Sequence, residues 1–204
     1  MNLNTFPTKG NLILIKNSLS LARQGYELMD RKRNILIREI MLLIREASDI
    51  QSQIDSQYTA AYKALQRANI EMGINTVKQI SATVPIDRSI RIRTRSVMGT
   101  EIPLVSHESD ANMPTYAFYS TRVSLDQARQ AFEKVKELTI RLSMIENSAY
   151  RLANNIRKTQ KRANALKNIS IPTYETLVKS ISEALEEKER EEFTRLKVIK
   201  GRME

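Results

Sequence analysis

One periodic stripe limits what this chain can become. Apolar residues recur at Leu12, Ile15, Leu19, Ala22, Tyr26, Met29, Leu36, Ile40, Leu43, Ala47, Ile50 and Ile54, in steps that alternate between three and four, with Arg33 as the one non-apolar member. An alternating step averages about 3.5 residues, the period of a left-handed supercoil, and here it outlasts the three or four heptads that make a signal. Ala61, Leu65 and Ala68 extend the pattern to about Met72, and Gly73 supplies a helix stop. A helix of about sixty residues, rising ~1.5 Å for each, is about 90 Å long. No small globule contains such a rod.

A second stripe runs through Leu125, Ala128, Phe132, Val135, Leu138, Leu142, Ile145, Ala149, Leu152, Ile156, Thr159, Ala163 and Leu166. Its one irregular step, at Val135–Leu138, overwinds a coil locally. Packing the two stripes on each other, antiparallel and within one chain, hides both. The fold expected is therefore all-α: a long antiparallel two-helix left-handed coiled coil with Leu36, Ile40, Leu43, Ile145, Leu152 and Ile156 in its seam. Pro172 lies inside a helical pattern that resumes with Leu177, Ile181 and Leu185. Proline removes one ladder bond and crowds the carbonyl four residues back, which predicts a continuous helix kinked near Asn168.

The middle of the chain is different in kind. It holds Pro85, Pro103, Pro114, Gly99 and the only histidine, His107. In "SIRIRTRSVMGTEIPLV", Ile90, Ile92 and Thr94 alternate with Arg91, Arg93 and Arg95, the period of a strand. Met98, Gly99 and Thr100 form the expected turn, and Glu101 to Val105 the return strand, which Pro103 confines to an edge. The segment Ser106 to Thr115 reads as a polar loop. Three regions result: an N-terminal coiled-coil helix over 1–74, a middle region over 75–120 with a short β-hairpin near 90–105, and a C-terminal helix over 121–204.

Composition agrees with long helices and excludes several chemistries. The 204 residues include 5 Gly, 5 Pro and 4 Phe, with no Trp and no Cys. Without cysteine there is no disulfide, thiolate metal site or cysteine nucleophile. No cofactor is expected, because the glycines are isolated and form no phosphate-binding loop. A single histidine rules out paired-histidine metal sites and a Ser–His–Asp set. His107 is read as an exposed loop histidine rather than a metal or proton site. Glu186, Glu187, Glu191 and Glu192 sit at helical spacing with Arg190 and Arg195. The pairs Glu186–Arg190 and Glu191–Arg195 support a solvated helix, not a catalytic pocket. No apolar run is long enough to span a membrane or to serve as a secretory leader.

The net charge of +10 has two readings. One is a basic coiled-coil tether or scaffold on nucleic acid; the other is a scaffold docked on acidic protein surfaces. Arg91, Arg93 and Arg95 are the stronger binding candidates, and no aromatic interleaves with them to stack on bases. Mixed charges on the segment Leu36–Ile50 argue against a lipid-binding helix.

Three separated motifs carry a resemblance across almost the whole chain. They are "FPTKGNLILIKNSLSLARQGYELMDRKRNILIREI", "RSVMGTEIP" and "KRANALKNISIP" followed by "EEKEREEFTRLKVIK". Together they resemble the D subunit, the central-stalk subunit of V-type and A-type rotary ATPases. That resemblance implies a non-catalytic rotor shaft that couples ATP hydrolysis or synthesis to proton or sodium transport. It places both termini inside a hexamer of catalytic A and B subunits and the bend toward the membrane. It implies the smaller F subunit on the lower coiled coil and its hairpin, and a funnel-shaped subunit (C/d) of the membrane rotor ring at the lower end. No direct nucleic-acid contact is implied, and the location is cytoplasmic, held to the membrane only through the complex. On this reading Lys9, Lys16, Arg190, Arg195, Lys197 and Lys200 face the catalytic head. Met98, Gly99 and Pro103 shape the hairpin, Arg91, Arg93 and Arg95 dock the F subunit, and Leu185, Phe193, Leu196 and Ile199 pack on the start of the N-terminal helix.

Overall fold

A computed structural model of the chain describes residues 6–85, 87, 89–107 and 116–203. The elements are α1 (Lys9–Met72), α2 (Ile74–Ala82), β1 (Ile90–Val97), β2 (Thr100–His107), a 3₁₀ turn (Phe118–Ser120), α3 (Val123–Ala165), a π-helical segment (Leu166–Ser170) and α4 (Ile171–Met203). As the two stripes predict, the chain is mostly helical, with long N- and C-terminal helices packed together and a small β-hairpin between them in sequence. The chain divides into two compact units, one of Met1–Asn34 with Ile156–Glu204 and one of Ile35–Asn155.

In the first unit, α1 starts where Thr8 Oγ1 accepts the backbone N–H of Asn11 at 3.2 Å. Such a cap satisfies one of the donors a helix start leaves open. From there the partners on α4 and α3 recede as α1 advances: Lys9 with Glu189, Arg23 with Glu175, Arg33 with Gln160. The helices are thus antiparallel. Ala22, Thr159, Ala163 and Ile181 are buried. Arg33, the polar member of the first stripe, is partly buried. Its guanidinium donates to Gln160 Oε1 at 2.9 Å and lies 2.6 Å from Asp30. Its Nε is buried without a partner, so a shift in register would strand still more of this charge.

Helical structure runs from Val123 to Met203 without an intervening loop. Ahead of Pro172 the ladder widens, and Ile171 N–H donates to Leu166 O, five residues back. Proline has no N–H for the Asn168 carbonyl, and the π turn lies just upstream of that missing donor. Across from the widened turn α1 carries Gly25, where an added β-carbon would stand 3.7 Å from Leu166 Cδ1.

In the second unit, α1 and α3 pack through two apolar clusters. Ile50, Ile54 and Ile145 form one, flanked by Leu43, Ala47, Leu138 and Leu142. Ala68, Val77 and Leu125 form the other, flanked by Leu65, Met72, Ile80 and Tyr116. Leu36, Ile145 and Leu152 are the largest side chains with almost no exposure, each stabilising by about 1.5–3 kcal/mol relative to a solvated one. Ile40 and Leu43 are half-buried. At the end of α1, Gly73 adopts φ 83°, a conformation that costs other residues heavily, and the chain restarts at once as α2. α2 went unread in the sequence because its apolar residues, Ile74, Val77, Ile80 and Ala82, span only about two and a half turns, too short a run to set a period.

The hairpin differs from expectation at both ends of β2, which begins at Thr100, expected in the turn but paired with Val97. β2 continues through Ser106 and His107, so these residues are strand and not polar loop, paired with Arg91 and Ile90. Residues 108–115, the rest of that loop, lie outside the described residues.

Candidate interaction surfaces

Two surfaces hold the residues singled out in the sequence. The first, in the unit of the two termini, is the end of α4. Lys9 pairs with Glu189 at 2.9 Å and is the first residue of α1. Beyond that level α4 runs on to Met203, and residues 190–202 are all exposed. Phe193 is 70% exposed and Leu196 66%, with Val198 and Ile199 also in solvent. The expected packing of Phe193, Leu196 and Ile199 on the N-terminal helix does not occur, because α1 begins too late to reach them. Leu185, before that level, is half-buried.

Lys16, Arg190, Arg195, Lys197 and Lys200 are all exposed. Arg195 lies 3.9 Å from Glu191, as the spacing predicts. The Lys9 ammonium is held above its ordinary value by its hydrogen bond to Glu189. The end of α4 thus offers cations, carboxylates and apolar side chains together, and among the described residues it has no enclosed pocket in which a carboxylate could act as acid or base.

The second surface, in the other unit, is the hairpin and the part of α3 beneath it. Met98 and Gly99 have φ of 49° and 73° and close a two-residue turn between Val97 and Thr100. Positive φ at both positions marks the turn whose twist matches a hairpin. Pro103 stands opposite Thr94. Arg91, Arg93 and Arg95 project from one face of β1, opposite Ser106, Leu104 and Ile102, and all three are exposed.

The ribbon is fixed to α3 by polar clips. Near its tip Asn155 Nδ2 donates to Thr100 Oγ1, and Arg151 donates to the Glu101 carbonyl at 3.2 Å. Midway, Val105 N–H points at Met144 Sδ, 3.3 Å away. Between the clips a cavity of about 440 Å³ separates Ile90, Ile92, Pro103 and Val105 from the α3 residues Ile140, Ser143 and Asn147. Ile92 remains 70% exposed, so the hairpin is clipped down without being tightly packed.

At the base sits Asp87, which the sequence reading missed. Its Oδ2 accepts from Lys136 Nζ at 2.7 Å and lies 2.7 Å from His107 Nε2; its Oδ1 accepts from Ser89 N at 2.9 Å and Ser89 Oγ at 2.7 Å. Led by Lys136, then the Ser89 amide and His107, these donors hold the carboxyl far below the usual carboxylate range. An ionised carboxylate only accepts, so His107 carries its proton on Nε2. The imidazole side chain is 9% exposed. His107 is therefore not an exposed loop histidine but a strap between the segment entering β1 and the end of β2. The Asp-x-Ser spacing is an Asx-turn signal that could have pointed to Asp87.

Among the described residues no group of three or more His, Cys, Asp or Glu is placed to hold a metal ion, and no helix is long and apolar enough to cross a membrane.

Comparison with known proteins extends over nearly the full length. Residues 11–201 match the family model of the ATP synthase D subunit. The chain is 44% identical over 197 residues to the V-type ATP synthase D subunit of Thermotoga neapolitana, covering 97% of each chain. It is 38% identical over 205 residues to the A-type ATP synthase D subunit of Thermococcus kodakarensis, covering 99% of this chain and 96% of that one.

Proposed function

This chain belongs to the ATP synthase D-subunit family, non-catalytic components of the central stalk of V/A-type ATP synthases, and from that premise we propose that it is the rotating shaft of such a complex. It carries torque between a catalytic head, where ATP is hydrolysed or made, and an ion-conducting ring in the membrane. The end of α4 enters the head, and the hairpin region receives a second stalk component, the F subunit. The lower end meets the funnel-shaped subunit of the rotor ring.

The observation that carries the reading is the end of α4. A helix that outruns its partner and keeps Phe193, Leu196 and Ile199 in solvent among charges has surface to spare for a surrounding ring. Long charged stems suit a turning contact, because they adapt to successive faces of a ring better than a close-fitting apolar knob. The buried clusters along α1 and α3 and the partly buried Arg33 resist slippage between helices, as transmission of torque requires.

Because the chain has no cysteine, single-site crosslinking gives a clean test. In the assembled complex, Lys197→Cys is paired with a cysteine placed on the inner surface of one of the catalytic-head subunits. Disulfide formation stops ATP turnover, and reductant restores it. Full turnover with the crosslink in place would rule out rotation of this shaft.

A further inference from the structure

In the second unit, the cavity of about 440 Å³ beneath the hairpin is space that packing leaves open. Packed elements enclose few voids larger than a water molecule, so a gap of this size needs a cause. The cause is the placing of the clips. Lys136 at the base, and Arg151 with Asn155 near the tip, hold the ribbon to α3 at both ends. Midway the contact is weak, because the Val105 N–H meets the thioether of Met144, a poor acceptor. Ile90, Ile92 and Val105 form the hairpin wall, and Ile140 and Met144 face them from α3. Such side chains forgo dispersion contacts on the side of the gap.

Charge enters at one end only. Arg151 lines the cavity, gives one N–H to the Glu101 carbonyl at 3.2 Å, is exposed, and forms no ion pair among the described residues. Lys136, at the other end, is already paired with Asp87. Ile140 and Arg151 stand about 16 Å apart along α3. The space is therefore long, apolar through its middle and cationic at the tip end.

We propose that this cavity binds a free amphiphilic carboxylate, an unbranched alkyl chain ending in one anion, as in a fatty acid. The chain lies between the hairpin wall and Ile140 with Met144. The carboxylate accepts from the guanidinium N–H groups of Arg151 that Glu101 leaves free, a charge-assisted bond of the stronger kind. Apolar walls around about 300–1,000 Å³, with a few polar groups to fix orientation, are the common form of a small-molecule site. Ordered water is disfavoured, because it needs several polar partners that these walls do not offer. An amphiphilic cation is disfavoured by Arg151. A bound chain braces the hairpin against α3, so occupancy is read in the exchange of the β1 and β2 amides. The site goes beyond the shaft reading and does not depend on it.

The test titrates the full-length chain with decanoate, decylamine and decanol, each below its micelle-forming concentration, by calorimetry. Decanoate binds one to one, at least about tenfold more tightly than decylamine, and slows exchange of the β1 and β2 amides. Arg151→Gln brings decanoate down to the level of decanol. Ile140→Trp fills the cavity and abolishes binding while circular dichroism stays helical. No saturable binding of decanoate by the unaltered chain, or equal binding of decanoate and decylamine, overturns the proposal without recourse to any variant. So does decanoate binding that Ile140→Trp leaves in place, or binding that F193S/L196S removes, which would put the chain on the end of α4. Uptake seen only with phosphatidylglycerol vesicles overturns it in favour of a membrane surface.

Discussion

The Lys9 ammonium, at the first residue of α1, lies 2.9 Å from the Glu189 carboxylate, and α4 residues 190–202 are all exposed. Both side chains are well exposed, so the pair is a marker of register more than a source of stability. The residues after Glu189 contribute little to holding the isolated chain together. F193S/L196S should therefore leave its thermal midpoint nearly unchanged, since exposed substitutions stay within about 0.5 kcal/mol. The same change should weaken assembly with the catalytic head in a reconstitution assay. A large drop in midpoint would show that these side chains are buried in the free protein.

Burial separates neighbours in the coil. Ile145 is 1% exposed and packs on Ile50 and Ile54, whereas Ile44 lies in solvent. Ile145→Ala removes buried methyl groups and leaves a cavity, at a cost of about 2–5 kcal/mol. Ile44→Ala should cost no more than about 0.5 kcal/mol. Urea titration of both variants checks the contrast, and similar losses would contradict the packing described. In the assembled complex, I40D/L43D should loosen the paired helices and separate ATP hydrolysis from ion transport, measured together in proteoliposomes.

At the hairpin base the sign of the pH dependence follows from Asp87. Its folded carboxyl titrates below the ordinary value of a free aspartate, about 3.9. The folded state therefore binds its proton less readily than the unfolded state does. The stability it adds is fully present above the unfolded value and is lost as pH falls through the depressed folded one. Denaturation at successive pH values below about 5 should show the native protein losing this increment, and Asp87→Asn should lack it throughout. Parallel pH profiles for the two proteins would show that Asp87 has no such role.

The turn offers a test in both directions. Met98 occupies the left-handed region at φ 49° and Gly99 at 73°. Asparagine tolerates that region better than methionine, so Met98→Asn should be neutral or stabilising. Gly99→Val should cost about 1–2 kcal/mol. Hydrogen exchange of the β1 and β2 amides reads the effect locally, with faster exchange in G99V and equal or slower exchange in M98N.

Legibility in the sequence followed the range of the forces involved. The steps from Leu12 to Ile54 and from Leu125 to Leu166 were readable because each repeats one rule many times, and noise at Arg33 or Val135 cannot hide it. The turn at Met98–Gly99 was readable because local backbone preference decides it. His107 was misread because its surroundings come from Asp87 and Lys136, distant in the chain and joined only by the fold. Phe193 and Leu196 were misread for a related reason: periodicity identifies an apolar face and cannot say where the partner helix starts.

Gly25 supplies a last prediction, on the fit between α1 and the widened π turn of the first unit. Glycine inside a helix costs about 0.5–1 kcal/mol relative to alanine through the freedom it loses on folding. A β-carbon at position 25 would meet Leu166 Cδ1 at 3.7 Å, an ordinary contact that needs no rearrangement. Gly25→Ala should therefore raise stability by about 0.5–1 kcal/mol in urea titration. A bulkier Gly25→Leu must displace Leu166 and should lower stability by about 1–3 kcal/mol. If alanine also destabilises, the two helices approach more closely at Leu166 than this geometry allows, and the glycine is there to admit the wide turn.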